Sequence, residues 1–280
     1  MDLIPEWLDQ SLLLWLQEDI PYLDPVGLVI DSCQQVTAVA RAKESGIIAG
    51  LPIAERVYKL LGIHFSTDLK DGDQISRGTE IYCVQGEATK ILRAERLSLN
   101  LLTHLSGIAT LTWTATEILR NQGVKTRVAA TRKTLPGLRS LQKYAIIIGG
   151  GYPHRFGLSE VVMLKDNHLR LLNDLRVAIE QIKKRMGPFI PVEVETSSLE
   201  DARIAAVAGA DIIMLDNLGP SKAKNAASIL KEEFPSIIIE VSGNVTLANL
   251  HEYAHDAIDY VSMGALTHSV KPLDISCKFE

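Results

Sequence analysis

TRKTLPGLRSLQKYAIIIGGGYPHRFGLSEVVMLKDNH, residues 131–168, is the stretch from which the architecture can be read. It starts where one apolar run, Val128-Ala129-Ala130, stops, and it carries a second run, Val161-Val162-Met163-Leu164, near its own end. Between them Leu138 to Ile148 has helical spacing, and Gly149, Gly150 and Gly151 would terminate that helix. Strand, helix, strand is the repeating unit of a parallel α/β sheet. Between Arg132 and Lys165 the stretch also concentrates charge: Arg132, Lys133, Arg139, Lys143, Arg155 and Lys165, with His154, stand against the single acid Glu160, in a chain whose net charge is −5. Any one of these cations reads equally well as a solvated surface charge. Arg132-Lys133 and Lys165, however, leave the carboxyl ends of strands, where α/β proteins bind ligands, so the segment reads as an anion pocket.

Outward from this stretch the same grammar continues. Thr126 to Ala130, Val161 to Leu164, Pro191 to Glu195, Asp211 to Leu215, Ile237 to Val241 and Tyr260 to Ser262 are strand-like, with helical segments between them. Six such units predict a parallel sheet with right-handed crossovers, short of the eight of a complete barrel. Spacing alone leaves open whether that sheet is an incomplete barrel or an open doubly wound sheet. Residues 1–112 read differently, as an α+β domain. They comprise an amphipathic helix over residues 5–18 (Glu6, Trp7, Leu8, Leu12, Trp15, Leu16), a strand from Gln35 to Ala42, a helix from Pro52 to Leu61 and a strand at Ile81–Val84. One long helical pattern from Ala88 to about Asn121 follows, with Ser106-Gly107 a candidate break in it. Asn100 and His104 lie one turn apart on it, a spacing that also arises by chance on a polar face.

Composition narrows the classes. At 280 residues, 46% hydrophobic and 22% charged, the chain is an ordinary globular protein. Apolar runs such as Leu12-Leu13-Leu14-Trp15-Leu16 fall far short of the roughly 18 residues that span a bilayer, and the acidic start Met1–Glu6 lacks a cationic signal region. Cys33, Cys83 and Cys277 are odd in number and far apart, which argues against a disulfide scaffold or zinc site and for a reducing cytoplasm. The acidic balance argues against nucleic-acid binding.

Carboxylates complete the pocket. Alternation in Val192-Glu193-Val194-Glu195 puts Glu193 and Glu195 on one face of their strand, where they are costly unless paired. Asp216, ending the next strand, is the natural neighbour. Glu195 and Asp216 beside several cations suit Mg²⁺ carried with a diphosphate; the competing reading is structural ion pairing to Lys133 or Lys165. Ser242-Gly243-Asn244 and Met263-Gly264-Ala265 each follow a strand and precede an expected helix, a phosphate-binding arrangement.

The ordered motifs TRKT-PGLR-LQKYA, GGG--HR-GL, KDNH (165–168), LQED (16–19), ERLSLNLLTHLSGIAT (95–110), VEVET (192–196), IIMLDN (212–217) and YVSMGALTHSVKPLDIS (260–276) resemble the quinolinate phosphoribosyltransferases over nearly the whole chain. The resemblance implies an N-terminal α+β sandwich-like domain (1–112, joined by the tail 270–280, with 270–276 strand-like) and an incomplete six-stranded α/β barrel (113–269). It implies transfer of phosphoribosyl from phosphoribosyl pyrophosphate to quinolinate in NAD biosynthesis, with Mg²⁺. Arg132, His154 and Arg155 would hold the two carboxylates. Arg96 of the ER-x-x-LN motif would reach the site of a neighbouring subunit in a homodimer or higher homo-oligomer. Lys133, Lys165, Glu195 and Asp216 would serve the phosphoribosyl donor, with Ser242, Gly243, Asn244, Gly264 and Ala265 at its phosphate.

Departures keep a second branch open, the molybdenum-transport-associated paralogues of the same fold, which would act on a different anion. Ala130 stands where the biosynthetic enzymes usually have Asp, Pro153 where they usually have Asn, GLSE (157–160) replaces a more aromatic GL-D segment, and Asp19 to Asp24 replaces the usual Gly-Asp-Leu-Thr turn. Intact Lys165-Asp166-Asn167-His168 favours the quinolinate branch. From other classes, a Schiff-base aldolase using a strand-end lysine and a non-catalytic anion-binding protein are the alternatives.

Overall fold

Leu8, Leu12 and Leu16 form the buried face of the first helix, α1 (Leu8–Asp19), spaced one turn apart as amphipathic packing requires. The computed structural model describes residues 8–31 and 33–280, so Glu6, Trp7 and the acidic opening of the chain lie outside the described residues. The chain divides into two compact units, Met1–Leu111 with Val270–Glu280, and Thr112–Ser269.

The first unit contains α1, a short 3-10 turn at Pro25–Leu28, β1 (Gln35–Ala42), β2 (Gly46–Ile47), α2 (Leu51–Leu60), β3 (His64–Ser66), β4 (Gln74–Ile75), β5 (Glu80–Glu87) and α3 (Ala88–Arg120), which continues into the second unit. The final strand of the chain, β12 (Ile275–Phe279), pairs antiparallel with β1, from Ala42 opposite Ile275 to Ala38 opposite Phe279. The sheet order is β12-β1-β5-β3, and β2 pairs with β4. Ile53, Ala54, Val57 and Tyr58 of α2 are buried. Tyr58 and Tyr82 place their hydroxyls 3.2 Å apart, so each buried O–H has a partner.

One alternative is decided in this unit and one expectation is corrected. The helix α3 does not break at Ser106-Gly107. Ser106 Oγ accepts the Ala49 N–H at 3.0 Å and donates to the Ala49 carbonyl, while a side chain on Gly107 would strike the backbone of Lys271 and Pro272. The pair is there for close approach of neighbouring chain, not for a turn. The tail strand begins at Ile275 rather than Val270: Pro272 has no N–H for a ladder, and the Leu273 N–H donates to the Thr103 carbonyl instead.

In the second unit, strands and helices alternate: β6 (Arg127–Ala129), α4 (Arg139–Ile148), β7 (Val162–Leu164), α5 (Asp166–Leu169), α6 (Leu175–Met186), β8 (Val192–Thr196), α7 (Leu199–Val207), β9 (Ile212–Asp216), α8 (Pro220–Glu233), β10 (Ile238–Ser242), β11 (Tyr260–Ser262) and α9 (Ala265–His268). All strand pairs are parallel, in the order β6-β11-β10-β9-β8-β7. Consecutive β6 and β7 occupy opposite edges and do not pair among the described residues, so the six-stranded sheet is not closed. No helix among the described residues is long and apolar enough to cross a membrane.

Period-two alternation divides the sheet into two faces. Val192, Val194, Ile213, Leu215, Ile239 and Val241 are buried on one. Met163 in register with Glu193, Glu195 with Met214, and Met214 with Glu240 occupy the other. Both glutamates of VEVET therefore sit on the face that lines the cavity described next.

Candidate active site

A cavity of about 870 Å³ opens beyond the carboxyl ends of the strands in the second unit. Each strand delivers one or more polar residues to it: Arg132 and Lys133 after β6, Lys165 after β7, Glu195 in β8, Asp216 ending β9, Glu240 and Ser242 in β10, and Ser262 in β11. His154 and Arg155, from the loop before β7, complete the wall. Four fixed cations thus face three carboxylates around one space.

The cations differ in what holds them. Arg132 has a buried Nε with no hydrogen-bond partner, a donor left for an anion. Lys133 is fixed through its backbone: its carbonyl accepts the Thr267 hydroxyl at 2.7 Å and its N–H donates to Thr131 Oγ1 at 3.1 Å. Arg155 is buried, with Nη1 donating to the Val161 carbonyl at 3.0 Å and Nη2 3.2 Å from Met163 Sδ. Burial and the nearby Arg132 charge push its pKa down. Lys165 pairs with Glu195, the ion pair that the sequence left as an alternative to metal binding. His168 of KDNH caps α5 by accepting the Lys165 N–H at 3.0 Å.

Arg139 and Lys143, counted with the pocket charges on sequence, do not line the cavity. Arg139 donates to Thr134 Oγ1 and to the Phe156 carbonyl. Lys143 is fully buried and donates to the carbonyls of Pro153 and Arg155; burial and the neighbouring arginines push its pKa down to about 8. Arg96, Asn100 and His104 belong to α3 in the first unit and are not part of the cavity lining, and Arg96 is exposed.

His154 sits at φ 54°, a left-handed backbone. Its Nδ1 accepts the Arg155 N–H at 2.7 Å, and its Nε2 lies 3.0 Å from Glu240 and 3.7 Å from Glu193. Burial pulls the imidazole pKa down, but the Glu240 hydrogen bond and the charges of Glu240 and Glu193 outweigh it, so the net direction is upward. The Arg155 amide pulls the other way, because an Nδ1 that accepts a hydrogen bond carries no proton. His154, Glu193 and Glu240 offer ligand atoms within 4.8 Å of one another. The tautomer argues against a metal there: with Nδ1 accepting, Nε2 carries the hydrogen and presents no lone pair.

Glu193 is completely buried and both its oxygens lack hydrogen-bond partners. Desolvation first, then the Glu240 charge, push its pKa up to about 8. Glu195 and Asp216 answer differently to the question of a cation. Asp216 accepts from Asn217 Nδ2 at 2.5 Å, and burial with the Glu195 charge raises its pKa. Two cavity-lining carboxylates that repel each other suit a divalent cation bound through a few protein oxygens plus substrate.

The phosphate-site expectation is corrected in part. Gly264 does cap a short helix, α9. No helix starts after Ser242-Gly243-Asn244, and the next element is a 3-10 turn at Leu250–Tyr253. Asn249 Oδ1 captures the Thr246 N–H at 2.7 Å and Asn249 Nδ2 donates to the Asn244 carbonyl, so side chains replace helical bonds here. Gly243 and Asn244 are left-handed, at φ 95° and 53°, and Asn244 Nδ2 donates to Asn217, itself at φ 55°. Glu240, Thr267 and Asn217 were missed as contributors on sequence. Only Glu240, a lone acid in the run Ile238 to Val241, left a readable signal.

Fold and cavity together define an α/β protein with a cation-lined cavity, suited to polyanions, at the strand tips of a parallel, unclosed sheet. Comparison with known proteins supplies the family. Residues 26–106 match the quinolinate phosphoribosyl transferase N-terminal domain, and residues 108–278 match its C-terminal domain. The chain is 40% identical over 264 residues to nicotinate-nucleotide pyrophosphorylase (carboxylating) of Rattus norvegicus, covering 94% of this chain and 88% of the relative. It is 40% identical over 261 residues to the probable enzyme of that name from Bacillus subtilis, covering 92% and 89%. The crystal structure of NadC from Streptococcus pyogenes superposes with a TM-score of 0.92 at 40% identity, covering 99% of this chain and 98% of that one. This chain belongs to the quinolinate phosphoribosyltransferase family.

Proposed function

We propose that this chain joins quinolinate to phosphoribosyl pyrophosphate, releasing diphosphate and carbon dioxide and forming nicotinate mononucleotide, a step of NAD biosynthesis. The observation that carries the reading is the convergence of Arg132, Lys133, Arg155 and Lys165 with Glu195 and Asp216 on one cavity. A dicarboxylate and a sugar diphosphate are both polyanions, and arginine forks suit carboxylates.

In this reading Arg132, through its unpartnered Nε–H, and Arg155 hold the pyridine carboxylates, with His154 beside them. The ring nitrogen attacks the anomeric carbon as the C–O bond to diphosphate breaks and its electron pair leaves with the diphosphate. Positive charge develops at the ribose, and the cavity-lining carboxylates of Glu195 and Asp216 are assigned to stabilise it electrostatically. Lys133 and Lys165 neutralise the leaving group, and the turn backbones at Ser242-Gly243-Asn244 and Gly264-Ala265 receive the sugar phosphate. Glu195 and Asp216 would also hold Mg²⁺, which when bound offsets the diphosphate charge. Breaking the C2–carboxylate bond leaves its electron pair on a ring carbon beside the now cationic nitrogen. CO2 departs, and the carbon takes up a proton. Lys165 is engaged by Glu195, which suits an anion clamp better than an imine-forming amine. Cys33, Cys83 and Cys277 form no disulfide among the described residues, which fits the cytoplasmic setting that belongs to this proposal.

Calorimetry with quinolinate and with molybdate, followed by a turnover assay with phosphoribosyl pyrophosphate, tests it. Quinolinate should bind, molybdate should not, and nicotinate mononucleotide should form only when both substrates are present. Binding of molybdate without quinolinate would replace this reading with the paralogous one.

A homodimer or higher homo-oligomer with a shared site is part of the proposal. Arg96 is exposed on α3 and absent from the lining of the cavity, so it is available to a neighbouring subunit. Mixing inactive Arg96→Ala chains with inactive Lys133→Ala chains should restore up to about a quarter of the wild-type sites by random assortment into dimers. Verified heterodimers that stay inactive would refute sharing.

A further inference from the structure

Lys143 is a buried amine with no part in the chemistry above. It lies on α4 with no exposed surface, donates to the carbonyls of Pro153 and, at 2.7 Å, of Arg155, and stands 5.2 Å from the centre of the Phe156 ring. Those two carbonyls flank His154. In an extended chain, carbonyls two residues apart stand about 7 Å from each other, too far for one nitrogen to bond both. The chain must contract between them, and His154 does so at φ 54°, a conformation that non-glycine residues seldom adopt. In the contracted turn the Arg155 N–H meets His154 Nδ1, His154 Nε2 meets Glu240, and the Arg155 guanidinium reaches the Val161 carbonyl and, in the cavity wall, Met163. Strained backbone of this kind persists only where its surroundings enforce it. Lys143 is the cation bonded to both sides of the turn.

We infer that Lys143 is a positioning residue for pyridine binding: by bonding the carbonyls on either side of His154 it holds the left-handed turn, and the turn aims Arg155 into the cavity. This rests on the proposed function, because it assigns Arg155 to the pyridine carboxylates. The amine touches neither substrate. Its removal should therefore affect the two substrates unequally, which a general loss of structure would not do.

The test is steady-state kinetics on wild type, Lys143→Met and Lys143→Gln, with each substrate varied in turn and folding checked by circular dichroism. KM for quinolinate should rise at least about tenfold in both variants while KM for phosphoribosyl pyrophosphate stays within about threefold. Lys143→Met should also be introduced into His154→Gly, since glycine takes up left-handed backbone unaided. There it should cost less than about a third of the fold-change in kcat/KM that it costs alone, the non-additivity expected of residues acting through one turn. Unmoved quinolinate KM in a folded variant, equal rises for both substrates, multiplicative effects in the double variant, or loss of folding in both Lys143 variants would each overturn the inference. Wild type that turns over nothing would instead remove the functional reading, and this one with it. Normal wild-type turnover with unaffected Lys143 variants would remove this one alone.

Discussion

Lys165→Ala is expected to lower kcat by about 10²–10³-fold, the usual consequence of removing one fixed charge from a site where charge develops in the transition state. The expectation comes from two contacts. Lys165 leaves β7 at the cavity mouth, and its ammonium pairs with Glu195, whose charge in turn bears on Asp216. Without it the diphosphate loses a cationic partner, and the two carboxylates face the incoming polyanion with less compensation. Stability should change little, because Lys165 is 44% exposed in its side chain and solvent-screened ion pairs contribute modestly. Turnover assays beside thermal unfolding separate these effects. A variant with kcat within threefold of wild type would remove Lys165 from the machinery.

Glu193→Gln should flatten the dependence of stability on pH. Glu193 is buried without hydrogen-bond partners, and burial followed by the Glu240 charge raises its pKa from 4.5 to about 8. A carboxyl whose folded pKa exceeds its unfolded value makes the native state the tighter proton binder. That contribution is complete below about pH 4.5 and disappears as pH rises through about 8. Wild type should therefore lose on the order of a few kcal/mol across this window, whereas the neutral amide has no proton to lose. Denaturant midpoints for both proteins at pH 6 and pH 8.5 provide the comparison. Parallel slopes would show that Glu193 does not titrate as its surroundings require.

Glu193 and Glu195 also show where reading a sequence stops. Alternation placed both on one face, correctly, but two residues along a strand is about 7 Å of depth. At that depth one carboxylate is sealed against His154 and Glu240, while the other meets Lys165 at the cavity. Arg139 and Lys143 make the same point for cations. Their spacing along α4 says nothing about whether they turn toward ligand or toward the carbonyls of the 153–156 loop. Ser106-Gly107 resembles a helix break by composition, and only the neighbouring chain reveals it as a contact surface.

By itself the sequence determined the order of strands and helices, the parallel character of the second unit and the concentration of cations at strand ends, because these follow from local periodicity and chain connectivity. The tertiary structure alone decided which charges share the cavity, which tautomer His154 adopts and which groups are sealed from water. Those properties depend on distances between residues far apart in the chain, and on the cost of removing charge from solvent, neither of which any local pattern encodes.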